Sequence, residues 1–136
     1  MGSNEPEPSA PLTVLYIEDN LSNLQLVEQV LRLRPAVRLI PAMRPQLGLD
    51  LAAEHDPGLL LLDLNLPDMS GQEVLRRLRA EPRTANVPVV IHSADARPSL
   101  IQELLDRGVR AFLPKPLDVR ELLGLVDTVL AERVHA

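Results

Sequence analysis

Four short apolar runs in this chain each lead to a side chain that could do chemistry. Residues 12–17 run into Glu18 and Asp19, residues 59–62 into Asp63, residues 87–92 into Ser93, and residues 109–113, past Pro114, into Lys115. Burying a charge is costly unless it is paired, so an acid after Leu59-Leu60-Leu61-Leu62 should project from the edge of a sheet. In open α/β sheets, ligands bind beyond the carboxyl ends of the strands. If the four runs are parallel strands, three carboxylates, a hydroxyl and a lysine converge on one rim. Three clustered acids repel each other unless a cation joins them. An oxygen-only donor set suits Mg²⁺, which takes one or two carboxylates and keeps waters or phosphate oxygens. A carboxylate held beside a cation and an ammonium can attack a phosphoryl group to give an aspartyl phosphate. Of the 14 basic side chains only Lys115 is a lysine. A compact ammonium suits a phosphoryl contact better than a planar guanidinium fork.

Taken singly, each signal has an ordinary explanation. Asp63 and Asn65 would serve as turn residues. Glu18-Asp19 also reads as a helix start and Ser93 as a cap. His92 should point away from Ser93 by strand alternation, which makes it packing or surface. His55 and His135 show no metal-ligand spacing.

The elements that must position these residues alternate strictly. Strands are expected at 12–17, 37–42, 59–63, 87–92 and 109–113. Helices are expected at 22–34, 45–55, 71–80, 99–107 and from Asp118 to about Arg133. Leu24, Val27, Val30 and Leu31 make the apolar stripe of the first helix, which Pro35 ends. The second is weaker, with Leu47, Leu51 and Ala52 on one side and Gly48 inside it. Ser70 with Glu73, and Ser99 with Gln102, have capping-box spacing. Asp118 and Glu121 would cap the last helix. Strict βα alternation implies a parallel sheet with right-handed crossovers and helices on both faces. The fold class is therefore α/β, a doubly wound five-stranded (βα)5 sheet.

Composition narrows the function. The 136 residues suit one domain, with 46% hydrophobic residues, and Pro6, Pro8 and Pro11 mark residues 1–11 as a flexible tail or linker. No apolar run is long enough to span a membrane, and no signal peptide precedes the fold. Absence of cysteine excludes disulfides and thiolate metal sites, and suits the cytoplasm. A formal charge of −5, with one Tyr, one Phe and no Trp, argues against nucleic-acid binding by this domain.

Four motifs in this order resemble the receiver domain of two-component response regulators over residues 12–133. They are Glu18-Asp19, Asp63 with Leu66-Pro67-Asp68-Met69-Ser70-Gly71, Ser93-Ala94, and Lys115-Pro116. The resemblance implies a flavodoxin-like fold with Asp63 as phosphoacceptor. It implies Mg²⁺ bound by Asp19, Asp63 and the Asn65 backbone carbonyl, with Glu18 acting through water. It further implies that Lys115 contacts the phosphoryl group, that Ser93 and Phe112 form the switch, and that the Lys115–Pro116 bond is cis. The expected output is a change in the face formed by the fourth helix, fifth strand and fifth helix. The expected partner is a histidine kinase or histidine phosphotransfer domain, and the expected state a monomer or weak dimer. Such a domain catalyses only its own phosphorylation and dephosphorylation. The spacer-like Asn4–Pro11 stretch, and the texture of Val14–Asn20 with Ser93-Ala94-Asp95-Ala96, further resemble the C-terminal receiver of a hybrid histidine kinase. Two rivals stay open. A pseudo-receiver would be an interaction module that is never phosphorylated, although this chain keeps every acid and the lysine. A phosphatase that attacks with Asp would need a second acid two residues on, where this chain has Asn65.

Overall fold

Leu59-Leu60-Leu61-Leu62 form the centre of a five-stranded parallel sheet, and all four side chains are buried. A computed structural model describes residues 12–134; the expected tail at 1–11 and His135 lie outside the described residues. The strands are β1 (Leu12–Ile17), β2 (Val37–Ala42), β3 (Leu59–Leu62), β4 (Val89–Ser93) and β5 (Ala111–Pro114). The helices are α1 (Leu21–Leu31), α2 (Pro45–His55), α3 (Gly71–Ala80), α4 (Pro98–Asp106) and α5 (Val119–Val134). The sheet order is β2-β1-β3-β4-β5 with every pairing parallel.

Strand alternation divides the leucines between two cores. Leu59 and Leu61 join Val14, Tyr16 and Val90 beneath α1 and α5. Leu60 and Leu62 join Leu15, Ile17 and Ile91 beneath α2, α3 and α4. Helices on both faces are what make the β3 run continuously apolar rather than alternating. Among the described residues no helix is long and apolar enough to cross a membrane.

Local chemistry sets the helix ends, and several differ from expectation. Asn20, not Glu18 or Asp19, caps α1, its side chain accepting the Asn23 N–H at 3.0 Å. The helix closes at Leu31 rather than continuing to Arg34, through turns from Leu33 N to Val30 O and Arg34 N to Leu31 O. Pro35 explains this, because it disfavours helical geometry at the residue before it. Ser99 is not a cap: α4 begins one residue earlier with Pro98, after Arg97, with no side-chain cap hydrogen bond. Proline's fixed φ and missing N–H suit that first position, and Gln102 donates instead to Asp106. The Ser70 box is half made, with Ser70 Oγ accepting the Glu73 N–H at 3.2 Å. The Glu73 carboxylate turns to Arg76 and Arg77 instead.

In α2 the buried residues are Pro45, Gly48 and Ala52, while Leu47 is exposed. Gly48 is there for close approach, since a Cβ on it would overlap the Ile17 side chain. The last two strands start later than expected, at Val89 and Ala111. Residues 87 and 109 lie in the approaches to them.

Candidate functional site

The ladder continues one step past the strand ends and fixes the site backbone. Glu18 N–H donates to Ala42 O at 2.9 Å, Asp63 N–H to Ile17 O at 3.1 Å and Lys115 N–H to Ser93 O at 2.9 Å. Glu18 and Asp63 are thus neighbours above β1 and β3, and Lys115 follows β5 on the same rim. The Lys115–Pro116 peptide bond is cis. The loop that carries Asp63 onward is held down by Gly71, whose N–H donates to Leu64 O at 2.9 Å.

Lys115 reaches between two buried acids. Its Nζ lies 2.7 Å from Glu18 Oε1 and 3.2 Å from Asp63 Oδ2. Asp63 Oδ1 accepts the Asn65 N–H at 3.2 Å. Asp19 is exposed at the mouth of the pocket, and one carboxylate oxygen each from Glu18, Asp19 and Asp63 lie within 4.8 Å of one another. Ser93 is fully buried at the end of β4, and its Oγ accepts the Asp95 N–H at 3.2 Å. Phe112 is half-buried against the α2–α4 core, in register with Ile91. The sequence-derived residues Glu18, Asp19, Asp63 and Lys115 therefore meet in one pocket. Ser93 stands at its edge, tied into the following turn, and Phe112 lies two register positions before Pro114, the partner of Ser93.

Tyr16, Asn20 and Asn23 complete the pocket and were missed by sequence reasoning. Tyr16 is fully buried and donates its hydroxyl to Glu18 Oε1 at 2.9 Å. The Asn23 amide donates to the same oxygen at 3.2 Å, and the Asn20 backbone N–H to Oε2 at 3.2 Å. His92 is buried with Nδ1 2.9 Å from Leu113 O, its ring tilted against that of Tyr16 with centroids 6.1 Å apart. Tyr16 had a usable signal: it lies two residues before Glu18 on a strand and so shares its face. His92 was expected to be packing or surface, and it is packing.

Burial and charge set the protonation of these groups. Burial first, and the adjacent Glu18 carboxylate second, push Asp63 up to about 6 against the Asn65 N–H, which pulls it down. Burial also disfavours charge on Glu18, but hydrogen bonds from Lys115 and its other partners outweigh it and hold Glu18 below its usual value. Burial alone would lower Lys115, whereas Glu18 and Asp63 together hold it above its ordinary value. Burial, with Glu18 beside it, pushes Tyr16 upward, so its hydroxyl stays a donor. Burial keeps His92 below its ordinary value.

The pocket is short of positive charge. Three carboxylates face one ammonium, and the hard oxygen donors, two buried and one solvent-facing, fit a divalent cation with room for water. The arrangement can bind such a cation and present Asp63 to an electrophile.

A sheet ordered 2-1-3-4-5, with its pocket where β1 and β3 diverge, defines the flavodoxin-like, doubly wound class, which binds ligands at that switch point. Within that class the chain belongs to the response regulator receiver domain family, whose model matches residues 14–127. It is 33% identical over 119 residues to the two-component response regulator ORR12 of Oryza sativa subsp. japonica, covering 85% of this chain and 96% of that protein. Among solved structures it is similar to the signal receiver domain of a putative Luxo repressor protein from Vibrio parahaemolyticus. That match has a TM-score of 0.81 and 27% identity, covering 90% of this chain and 92% of the other. The Mn(2+)-bound form of response regulator Rcp1 matches with a TM-score of 0.72 and 26% identity, covering 88% and 91% respectively. Receiver domains of this family are signalling modules of two-component systems.

Proposed function

We propose that Asp63 is the phosphoacceptor of a two-component phosphorelay, receiving its phosphoryl group from the phosphohistidine of a histidine kinase or phosphotransfer domain. The observation that carries this reading is the buried Asp63 carboxylate, 3.2 Å from the only lysine and beside Glu18 and Asp19. Asp19, Asp63 and the Asn65 carbonyl would hold Mg²⁺, with Glu18 acting through water. When bound, Mg²⁺ neutralises acid charge and phosphoryl oxygens. The Mn(2+)-bound relative supports a divalent ion.

In the transfer, an Asp63 oxygen forms a bond to phosphorus while the P–N bond to histidine breaks. The electron pair leaves with the imidazole nitrogen. Lys115 neutralises a phosphoryl oxygen, the contribution expected of a positioned ammonium in phosphoryl transfer. Ser93 and Phe112 then carry the change to the α4–β5–α5 face. The working unit is residues 12–133, monomeric or weakly dimeric. A cysteine-free sequence suits a cytoplasmic setting.

The test is incubation with acetyl phosphate and Mg²⁺, followed by intact mass. The parent should gain one phosphoryl group, while Asp63→Asn and a chelator-treated sample should gain none. An unmodified parent, or a phosphorylated Asp63→Asn variant, refutes the reading.

A further inference from the structure

Three side chains donate to a single oxygen. Oε1 of Glu18 accepts from Lys115 Nζ at 2.7 Å, Tyr16 OH at 2.9 Å and Asn23 Nδ2 at 3.2 Å. Glu18 has no solvent exposure, so it cannot exchange a lost partner for bulk water. A buried carboxylate stripped of its partners is costly. An incoming phosphoryl oxygen beside Asp63 would compete with Glu18 for the Lys115 ammonium, which already bonds both acids. Something has to hold Oε1 where that competition draws the ammonium away.

We propose that Tyr16, seconded by Asn23, is a positioning residue that keeps Glu18 satisfied while Lys115 moves from Glu18 to the phosphoryl group. The inference rests on the phosphoacceptor reading and deepens it. Tyr16 suits the task because it cannot follow the lysine. Its ring is fully buried under α1 and α5 and leans on His92, which is itself tied to Leu113 O on the strand that leads to Lys115. The Tyr16 hydroxyl is thus fixed to the scaffold, while the ammonium sits on a flexible four-carbon stem. Removing the hydroxyl costs most when the lysine is away, because Glu18 then carries its full charge. The Tyr16–Glu18 bond is therefore worth more in the phosphorylating state than in the ground state, the condition for an effect on rate.

The test uses the Tyr16→Phe and Asn23→Ala variants, the double variant, and a parent labelled with 3-fluorotyrosine. Tyr16 is the only tyrosine in the sequence, so the label gives one fluorine signal. At saturating Mg²⁺, phosphorylation of Tyr16→Phe by acetyl phosphate should slow about fivefold, the size of about 1 kcal/mol. The double variant should slow by more than the product of the two singles, since each donor covers for the other. In the labelled parent, beryllofluoride, a phosphoryl mimic, should move the fluorine signal beyond its position with Mg²⁺ alone. A merely structural tyrosine would leave the phosphorylation rates of the folded variants at the parent's, and would give no excess slowing in the double variant. Parent-like rates in Tyr16→Phe and the double variant, or a fluorine signal that beryllofluoride leaves unmoved, overturn the inference while a phosphorylated parent keeps the phosphoacceptor reading. A parent that never gains a phosphoryl group overturns both. If Tyr16→Phe fails to fold, the fluorine signal and Asn23→Ala still decide.

Discussion

Lys115 lies nearer to Glu18 than to Asp63, with its Nζ 2.7 Å from Glu18 Oε1 across 97 residues of sequence. The lysine is therefore parked on an acid that is not the proposed nucleophile. That pairing leaves Asp63 the less compensated of the two buried carboxylates, which agrees with its upward shift and the downward shift of Glu18.

Replacing this lysine with the commoner base should not preserve function. In Lys115→Arg the charge survives, but a planar fork must fit where a compact ammonium reaches between Glu18 and Asp63. The rate of phosphorylation by acetyl phosphate should fall by about tenfold or more, as when a transition-state charge donor is lost. Quench-and-mass kinetics measure it. Parent-like kinetics would mean that charge alone suffices at this position.

Removing the Asp63 charge should stabilise the metal-free protein. Burial and the Glu18 carboxylate both work against an ionised Asp63 at neutral pH. Asp63→Asn keeps the shape and removes that conflict. Its metal-free stability at pH 7.5 should exceed the parent's by on the order of 1–3 kcal/mol. Urea denaturation with and without Mg²⁺ provides the check. The parent should gain from Mg²⁺, and the variant should gain much less. A less stable Asp63→Asn would show that the ion pair with Lys115 outweighs the acid repulsion.

The same shift sets a pH dependence with a definite sign. A carboxyl raised to about 6 binds its proton more tightly in the folded chain than in the unfolded one. Without metal, its contribution to stability is greatest at acidic pH and is lost as pH rises from the ordinary aspartate range through about 6. Mg²⁺ acts in the opposite direction, because it needs the ionised form. The rise in Tm produced by Mg²⁺ should therefore be small at pH 5 and grow through pH 6 toward 7.5. Thermal scans at fixed Mg²⁺ across that range would reveal it. A Mg²⁺ effect that is constant across this range would place the metal away from Asp63.

Much of this was legible in the sequence because the sheet is buried on both faces. Continuous apolar runs such as Leu59–Leu62 marked strands, and each run led to a candidate site residue. Parallel alternation then put Glu18, Asp63, Ser93 and Lys115 on one rim without knowledge of any contact. What stayed hidden depends on contacts between distant elements. Tyr16 looked like an ordinary strand former, and only the carboxylate above it makes its hydroxyl part of the site. Leu47 followed the apolar periodicity of α2 yet faces outward, because Gly48 and Ala52 let that helix settle onto Ile17 along another face. The Ser99 spacing imitated a cap because Pro98 had already started α4 by its fixed backbone angle.

Gly71 offers a test of how the loop holds Asp63 in place. A Cβ at Gly71 would sit 2.5 Å from Asp63 O and 2.6 Å from Leu64 Cα. Both are backbone atoms and cannot rotate aside, unlike the Ile17 side chain that a Cβ at Gly48 would meet. Relief requires moving the start of α3 away from the end of β3, and with it the Gly71 N–H to Leu64 O bond. The higher helix propensity of alanine, about 1 kcal/mol over glycine, works in favour of the substitution but does not remove the overlap. Gly71→Ala should therefore cost about 1–3 kcal/mol net, within the usual range for overpacking. It should also slow phosphorylation, because the displaced atoms belong to Asp63 itself and the residue that follows it. Urea denaturation gives the first quantity and acetyl phosphate kinetics the second. Gly48→Ala is the control. It should lose stability in the α2 core but phosphorylate at nearly the parent rate once folded, since Ile17 packs on that face beneath the rim. Equal slowing in both variants would mean that global loosening, and not the seat of Asp63, controls the reaction.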